Sequence, residues 1–137
     1  TREDKELLKA GKLPDQAGWK FRRDVAAIEE AQRRIAQSEV KVAFGTDCGM
    51  FPFSEGVLEF QAMVAAGLTP TRALKAGTSV AAELLQCEDL GIIAPGKQAD
   101  IVAMPGDPFK DIAVTAKVDF VMKAGRVYRY GPFDILQ

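Results

Sequence analysis

The 137-residue chain contains no histidine, and that absence excludes more chemistry than any other feature of the sequence. Without imidazole the chain cannot build a Ser-His-Asp triad or a Cys-His pair. With two scattered cysteines it also cannot supply from its own residues the roughly three to four N, S or O ligands of an ordinary zinc site. Any such chemistry needs groups from elsewhere. Cys48 and Cys87 lie far apart and form no C-x-x-C pair, so they read as free thiols of a cytosolic protein; Cys48 reads as a packing residue. Also missing are an apolar segment long enough to span a bilayer, a charged-then-apolar leader and any basic run. The formal charge of −1 leaves no electrostatic footprint for nucleic acid or for a membrane surface. The opening Thr1-Arg2-Glu3-Asp4 lacks an initiator methionine, so we expect a segment of a longer or processed chain.

The rest of the composition is that of an ordinary soluble globular protein of one-domain length, long enough to bury a sizeable core. The stretch that organises it is Val40-Lys41-Val42-Ala43-Phe44-Gly45-Thr46-Asp47-Cys48-Gly49. Val40 to Phe44 reads as a strand, being short, apolar and rich in Val. Gly45 and Gly49 bracket a turn that puts the Asp47 carboxylate where a buried strand emerges into a loop. In an α/β barrel the loops after the strands line one mouth, from which chemistry is done. The same carboxylate could instead cap its turn by accepting local backbone N–H bonds.

Around this stretch the pattern predicts helices. Arg2 to Ala10 is a charged helical segment stopped by Gly11, and Leu13-Pro14-Asp15 is a turn. Trp19 and Phe21 open a longer helix to about Ser38. Val25, Ile28 and Ile35 form its core-covering stripe, with Glu29, Glu30, Arg33 and Arg34 on its solvated sides. Ser54 is positioned to cap a mostly buried helix running to Ala66 and stopped by Gly67. Thr69-Pro70 starts a short helix to Ala76, and Thr78 or Ser79 caps another to about Gln86. After Leu90 the composition shifts. Residues 91 to 104 read as extended chain, a Pro-Gly turn and a strand, Pro105-Gly106-Asp107-Pro108 as a loop, and Val118–Lys123 with Arg126–Tyr130 as a hairpin. A lone strand at 40–44 with no parallel neighbour before residue 90 is a structural problem for a self-contained fold.

In order, Val42-Ala43-Phe44-Gly45-Thr46-Asp47, Ala65-Ala66-Gly67-Leu68-Thr69-Pro70, Ala73-Leu74 to Thr78-Ser79 with Ala81-Ala82-Glu83-Leu84-Leu85, Gly91-Ile92-Ile93-Ala94-Pro95-Gly96-Lys97-Gln98-Ala99-Asp100-Ile101-Val102 and Gly106-Asp107-Pro108 resemble the C-terminal part of the amidohydrolase superfamily. The resemblance spans about residues 20–130. It is strongest to the imidazolonepropionase-related and Xaa-Pro dipeptidase (prolidase)-like branch. It implies an α/β fold, a (β/α)₈ TIM barrel with an attached β-sandwich. Residues 1–90 would be the C-terminal portion of the barrel, with Val40 to Phe44 as its last strand, and residues 91–137 the returning strands of the sandwich. The chain would then be about the last third of a metal-dependent hydrolase, inactive alone.

By the same resemblance Asp47 is both a ligand of a divalent metal, one or two ions and zinc by preference, and the proton shuttle for the attacking water. The remaining ligands lie outside this segment. The implied substrates carry C–N bonds, either small molecules or Xaa-Pro dipeptides; a cyclic-amide hydrolase or deaminase fits the same residues, and so does a scaffold or pseudoenzyme that has kept the fold. The implied setting is cytoplasmic, with the rest of the barrel and a second copy as protein partners and no nucleic acid or membrane. Phe53 departs from the family's Pro-His-Gly loop. Phe51 and Phe53 could wall a substrate or pack on the scaffold. Glu55 and Glu59, at i and i+4, read as a solvated pair, Lys97 and Asp100 as turn residues leading into a strand, and Thr78 and Ser79 as helix caps.

Overall fold

The computed structural model describes residues 6, 10, 15–46, 52–131, 133 and 134. Most of the helix expected at Arg2 to Ala10 therefore lies outside the described residues, as do Asp47, Cys48 and Phe51. The chain divides into two compact units, Thr1–Glu39 and Val40–Gln137.

The first unit is built on α1, Asp15–Gln37, which begins four residues earlier than the pattern at Trp19 suggested. Glu30 sits between two arginines one turn on, with Arg34 Nε and Arg33 Nη2 each 3.0 Å from its carboxylate. The bond from Arg34, then that from Arg33, holds the Glu30 carboxyl below the usual range. This is the solvated face expected. The apolar stripe differs from expectation, with Ile28 56% and Ile35 41% exposed. Within this unit no second element is described against which a helix stripe could be buried.

The second unit opens on the segment 40–46, and here the expectation of a strand at Val40 to Phe44 is corrected: among the described residues the segment belongs to no ladder. A strand exists only where a neighbouring edge satisfies its backbone groups. Instead the Phe44 N–H donates to the Ala76 carbonyl at 2.9 Å. A 3-10 helix follows at Phe53–Leu58, and only then α2, Glu59–Ala65. The continuous helix expected from Ser54 is thus split. Ser54 makes no capping bond and lies inside the 3-10 turn that starts after Pro52, and Gly56 within that turn is a weak α-former. Gly67, at φ +113°, ends α2 as expected. Leu68 N–H reaches back to the Met63 carbonyl and Gly67 N–H to that of Val64, the paired bonds of a Schellman cap.

Helix α3, Pro70–Ala76, has both expected start signals: Pro70 in its first turn, and Thr69 Oγ1 accepting from the Arg72 N–H at 3.2 Å. Ala73 and Ala76 are fully buried. Gly77 follows, and a Cβ there would fall 2.7 Å from the Phe60 ring, so a glycine lets α2 and α3 close together. Helix α4, Ser79–Leu84, ends before Gln86 and has no side-chain cap; Thr78 Oγ1 donates to the Leu74 carbonyl at 2.8 Å instead. Its C-terminal end repeats the Schellman pattern, with Gln86 at φ +56° in the place usually taken by glycine.

The tail forms an antiparallel meander of β1 (Ile101–Ala103), β2 (Phe120–Lys123), β3 (Arg126–Tyr130) and β4 (Phe133–Asp134), in that spatial order. Val121 faces Val102 and Arg129, and a bulge follows between Val121 and Met122. Ala124 and Gly125 both have positive φ, the tight hairpin turn that matches strand twist. The strand at 101–103 and the hairpin were expected. The short β4 was not, nor was the 3-10 helix Ile112–Lys117, whose Val114 and Thr115 are buried. That helix starts at Asp111, whose carboxylate accepts from the Ala113 N–H at 3.0 Å, and it packs against α2. Met63, Leu68, Ala73, Ala76, Ala82 and Val114 form the described core of this unit.

Candidate functional site

The segment 40–46 leads by one peptide bond into Asp47, which lies outside the described residues, and side chains from three helices hold that segment. Arg72 Nη2, on α3, donates to the Val40 carbonyl at 3.1 Å. Lys41 Nζ pairs with Glu83 Oε1, on α4, at 2.5 Å. The Phe44 ring lies tilted by 30° on the Phe60 ring of α2, with centroids 4.9 Å apart. None of Arg72, Glu83 or Phe60 has a sequence signal for this role. Each contact joins residues far apart in the chain, and only the packing of α2, α3 and α4 brings them to the segment.

The remaining candidates fall elsewhere. Glu55 and Glu59 do not share one α-helix, since Glu55 is in the 3-10 turn and Glu59 is the first residue of α2; the i, i+4 geometry expected of them is absent. Phe53 is 83% exposed, so it does not pack on the scaffold that the described residues form. Cys87 is a free, half-buried thiol whose Sγ lies 3.6 Å from the Leu85 carbonyl. Among the described residues no group of three or more Cys, Asp or Glu could hold a metal ion, and no helix is long and apolar enough to cross a membrane. The described part of the chain therefore does not make a metal site by itself.

The Pro-Gly-Lys-Gln-Ala-Asp stretch proves to be a set of turn fasteners, as expected. Lys97 Nζ donates to the Glu88 carbonyl. Gln98 Nε2 donates to Asp89 Oδ2 at 2.5 Å. Asp100 straps the hairpin: its carboxylate accepts from Lys123 Nζ at 2.6 Å and from the Ala124 N–H at 2.7 Å. These two bonds, Lys123 first, lower the Asp100 pKa, and Asp100 in turn raises that of Lys123.

Comparison with known proteins follows the same residues. Residues 17–128 match the sequence pattern described as the amidohydrolase family. An imidazolonepropionase of Deinococcus deserti is 39% identical over 88 residues, covering 61% of this chain and 22% of that protein. A crystal structure of a Xaa-Pro dipeptidase with bound methionine in its active site superposes with a TM-score of 0.71 at 40% identity, over 74% of this chain and 25% of that one. The A. niger ochratoxinase structure gives a TM-score of 0.79 at 27% identity, over 93% of this chain and 31% of that one. The chain thus spans about a quarter of the length of the curated relatives it matches. Both branches anticipated from the motifs, the imidazolonepropionase and the Xaa-Pro dipeptidase, are found among these relatives. With a match that runs from α1 through the β2–β3 hairpin, the chain belongs to the amidohydrolase family.

Proposed function

We propose that this chain is part of a hydrolase that cleaves C–N bonds of amides or peptides, with Xaa-Pro dipeptides as the leading substrate class and Asp47 as the chain's contribution to the site. The observation that carries the reading is the 40% identity to a Xaa-Pro dipeptidase across 74% of the chain, a stretch long enough to include several motifs in order. In support, the segment running into Asp47 is held by α2, α3 and α4. In this reading residues 1–90 belong to a barrel, in which Val40 to Phe44 gains strand neighbours, and residues 91–137 to an attached sandwich. The protein is cytoplasmic and acts on small molecules, alone or as a homo-oligomer. A divalent metal, zinc by preference, would lower the pKa of a bound water toward about 7. Asp47 is the residue proposed to face it, and the other ligands come from outside these residues.

The test uses the protein that carries this chain. Xaa-Pro dipeptides, cyclic ureides and imidazolones are assayed side by side, with metal content measured by elemental analysis. Turnover of one class, its loss in Asp47→Asn and one or two metal ions per chain are expected. Full activity in Asp47→Asn overturns the site. A second reading, a scaffold without catalysis, is motivated by the absence of histidine from the chain. It predicts no bound metal and no turnover of any class.

A further inference from the structure

Adjacent antiparallel strands need only about two to five residues to join them. β1 and β2 are adjacent, yet the chain between them, residues 104–119, leaves the sheet, forms the 3-10 helix Ile112–Lys117 and returns. The main neighbours of that helix are α2 and the 3-10 turn Phe53–Leu58, while the strands pack chiefly on one another. Val114 and Thr115, 7% and 4% exposed, are its buried side, and no residue of β1, β2 or β3 is as deeply buried as either. Gly106, at φ +111°, closes over Val114, for a Cβ there would stand 3.1 Å from Val114 Cγ1. The Thr115 hydroxyl is satisfied within the helix, donating to the Ile112 carbonyl at 2.7 Å. A 3-10 segment has poor hydrogen-bond geometry and gains little from so few turns of its own. Both of these segments, six residues each, therefore depend on their packing on each other and on α2.

We propose that Ile112–Lys117 is a strap: it holds the Phe53–Leu58 turn against α2, and it opens and closes with that turn as one unit, independently of the sheet whose first two strands it joins. The turn buries Gly56 and carries at its start the Phe53 ring, 83% exposed. A side chain so exposed keeps a fixed place only if the backbone beneath it is fixed, and the strap is packed on that backbone. The sheet is held by other means, its ladders and the bonds of Asp100 to Lys123 and to the Ala124 N–H. Local opening follows contiguous packing more than chain order, so the strap belongs with the helices although it lies in sequence between two strands.

The experiment follows amide hydrogen exchange in the protein that carries this chain, in rising urea below the unfolding transition. Amides of 53–65 and 112–117 should converge on one opening equilibrium and those of 120–130 on another. Two variants then separate the units. Val114→Ala, which removes buried methyl groups, quickens exchange over 53–65 and 112–117 about tenfold and changes 120–130 by less than about twofold. Asp100→Ala, which removes the bonds to Lys123 and to the Ala124 N–H, quickens 120–130 severalfold and leaves 53–65 and 112–117 as in the wild type. Convergence of 112–117 with 120–130 overturns the proposal. So does a Val114→Ala variant in which 112–117 quickens and 53–58 does not, or in which the sheet quickens equally. Should Val114→Ala fail to fold, the wild-type and Asp100→Ala measurements decide by the same criteria.

Discussion

Replacing Gly91 by alanine tests the packing of the loop that follows α4, and Gly96→Ala provides its control. Both glycines sit in the left-handed region, at φ +84° and +81°, so either alanine meets the same backbone penalty of about 1–2 kcal/mol. Their surroundings differ. At Gly96 nothing lies within 4 Å of a new Cβ, whereas at Gly91 it would stand 2.8 Å from Ala82 Cβ, 2.9 Å from Ser79 Cα and 2.9 Å from the Thr78 carbonyl. Two of those three atoms are backbone of the start of α4 and cannot swing aside. The overpacking adds about 1–3 kcal/mol, for a total of about 2–5 kcal/mol at Gly91 against about 1–2 kcal/mol at Gly96. Urea unfolding of the two variants beside the wild type measures the difference directly, and the shared backbone penalty cancels. Midpoints that place the two variants within about 0.5 kcal/mol of each other would refute the close approach of this loop to α4.

Gln86→Gly should stabilise the protein by about 1 kcal/mol, because Gln86 occupies the left-handed position of the α4 cap at φ +56°; thermal unfolding reads the gain. Thr69→Ala should cost about 1 kcal/mol by removing the α3 cap bond to the Arg72 N–H, and Thr69→Ser should cost much less, as judged by urea midpoints. For Asp100→Asn the effect depends on pH. Lys123 and the Ala124 N–H favour the ionised carboxylate in the folded chain and lower its pKa, so its contribution is complete above the ordinary carboxylate value and is lost as the pH falls through the lowered one. Wild type should therefore be the more stable near neutrality, and the two unfolding midpoints should converge as the pH is taken from about 4 toward 2. A constant gap across that range would contradict the strap.

Local signals did well where the cause is local. Thr69-Pro70 started α3 and Gly67 ended α2, because a capping hydroxyl, a missing N–H and a left-handed glycine act within one turn of chain. The Ala-Gly hairpin was legible for the same reason. Ser54 misled because a cap residue works only if the following turn is α-helical, and Pro52 and Gly56 produce a 3-10 turn there instead. The 3-10 helix Ile112–Lys117 carried no apolar period long enough to be seen; burial of Val114 and Thr115 against the rest of the unit settles it.

By itself, the sequence determined that no triad or zinc site could be completed from these residues, and its ordered motifs pointed to the amidohydrolase family. Both follow from which side chains are present and in what order. Whether Val40 to Phe44 becomes a strand was never in the sequence alone, since a ladder needs a second edge, and the described residues offer the carbonyl of Ala76 in place of one. Only the tertiary structure could bring Arg72, Glu83 and Phe60 to that segment, because contacts between residues sixteen or more positions apart depend on how three helices pack and leave no trace in local spacing.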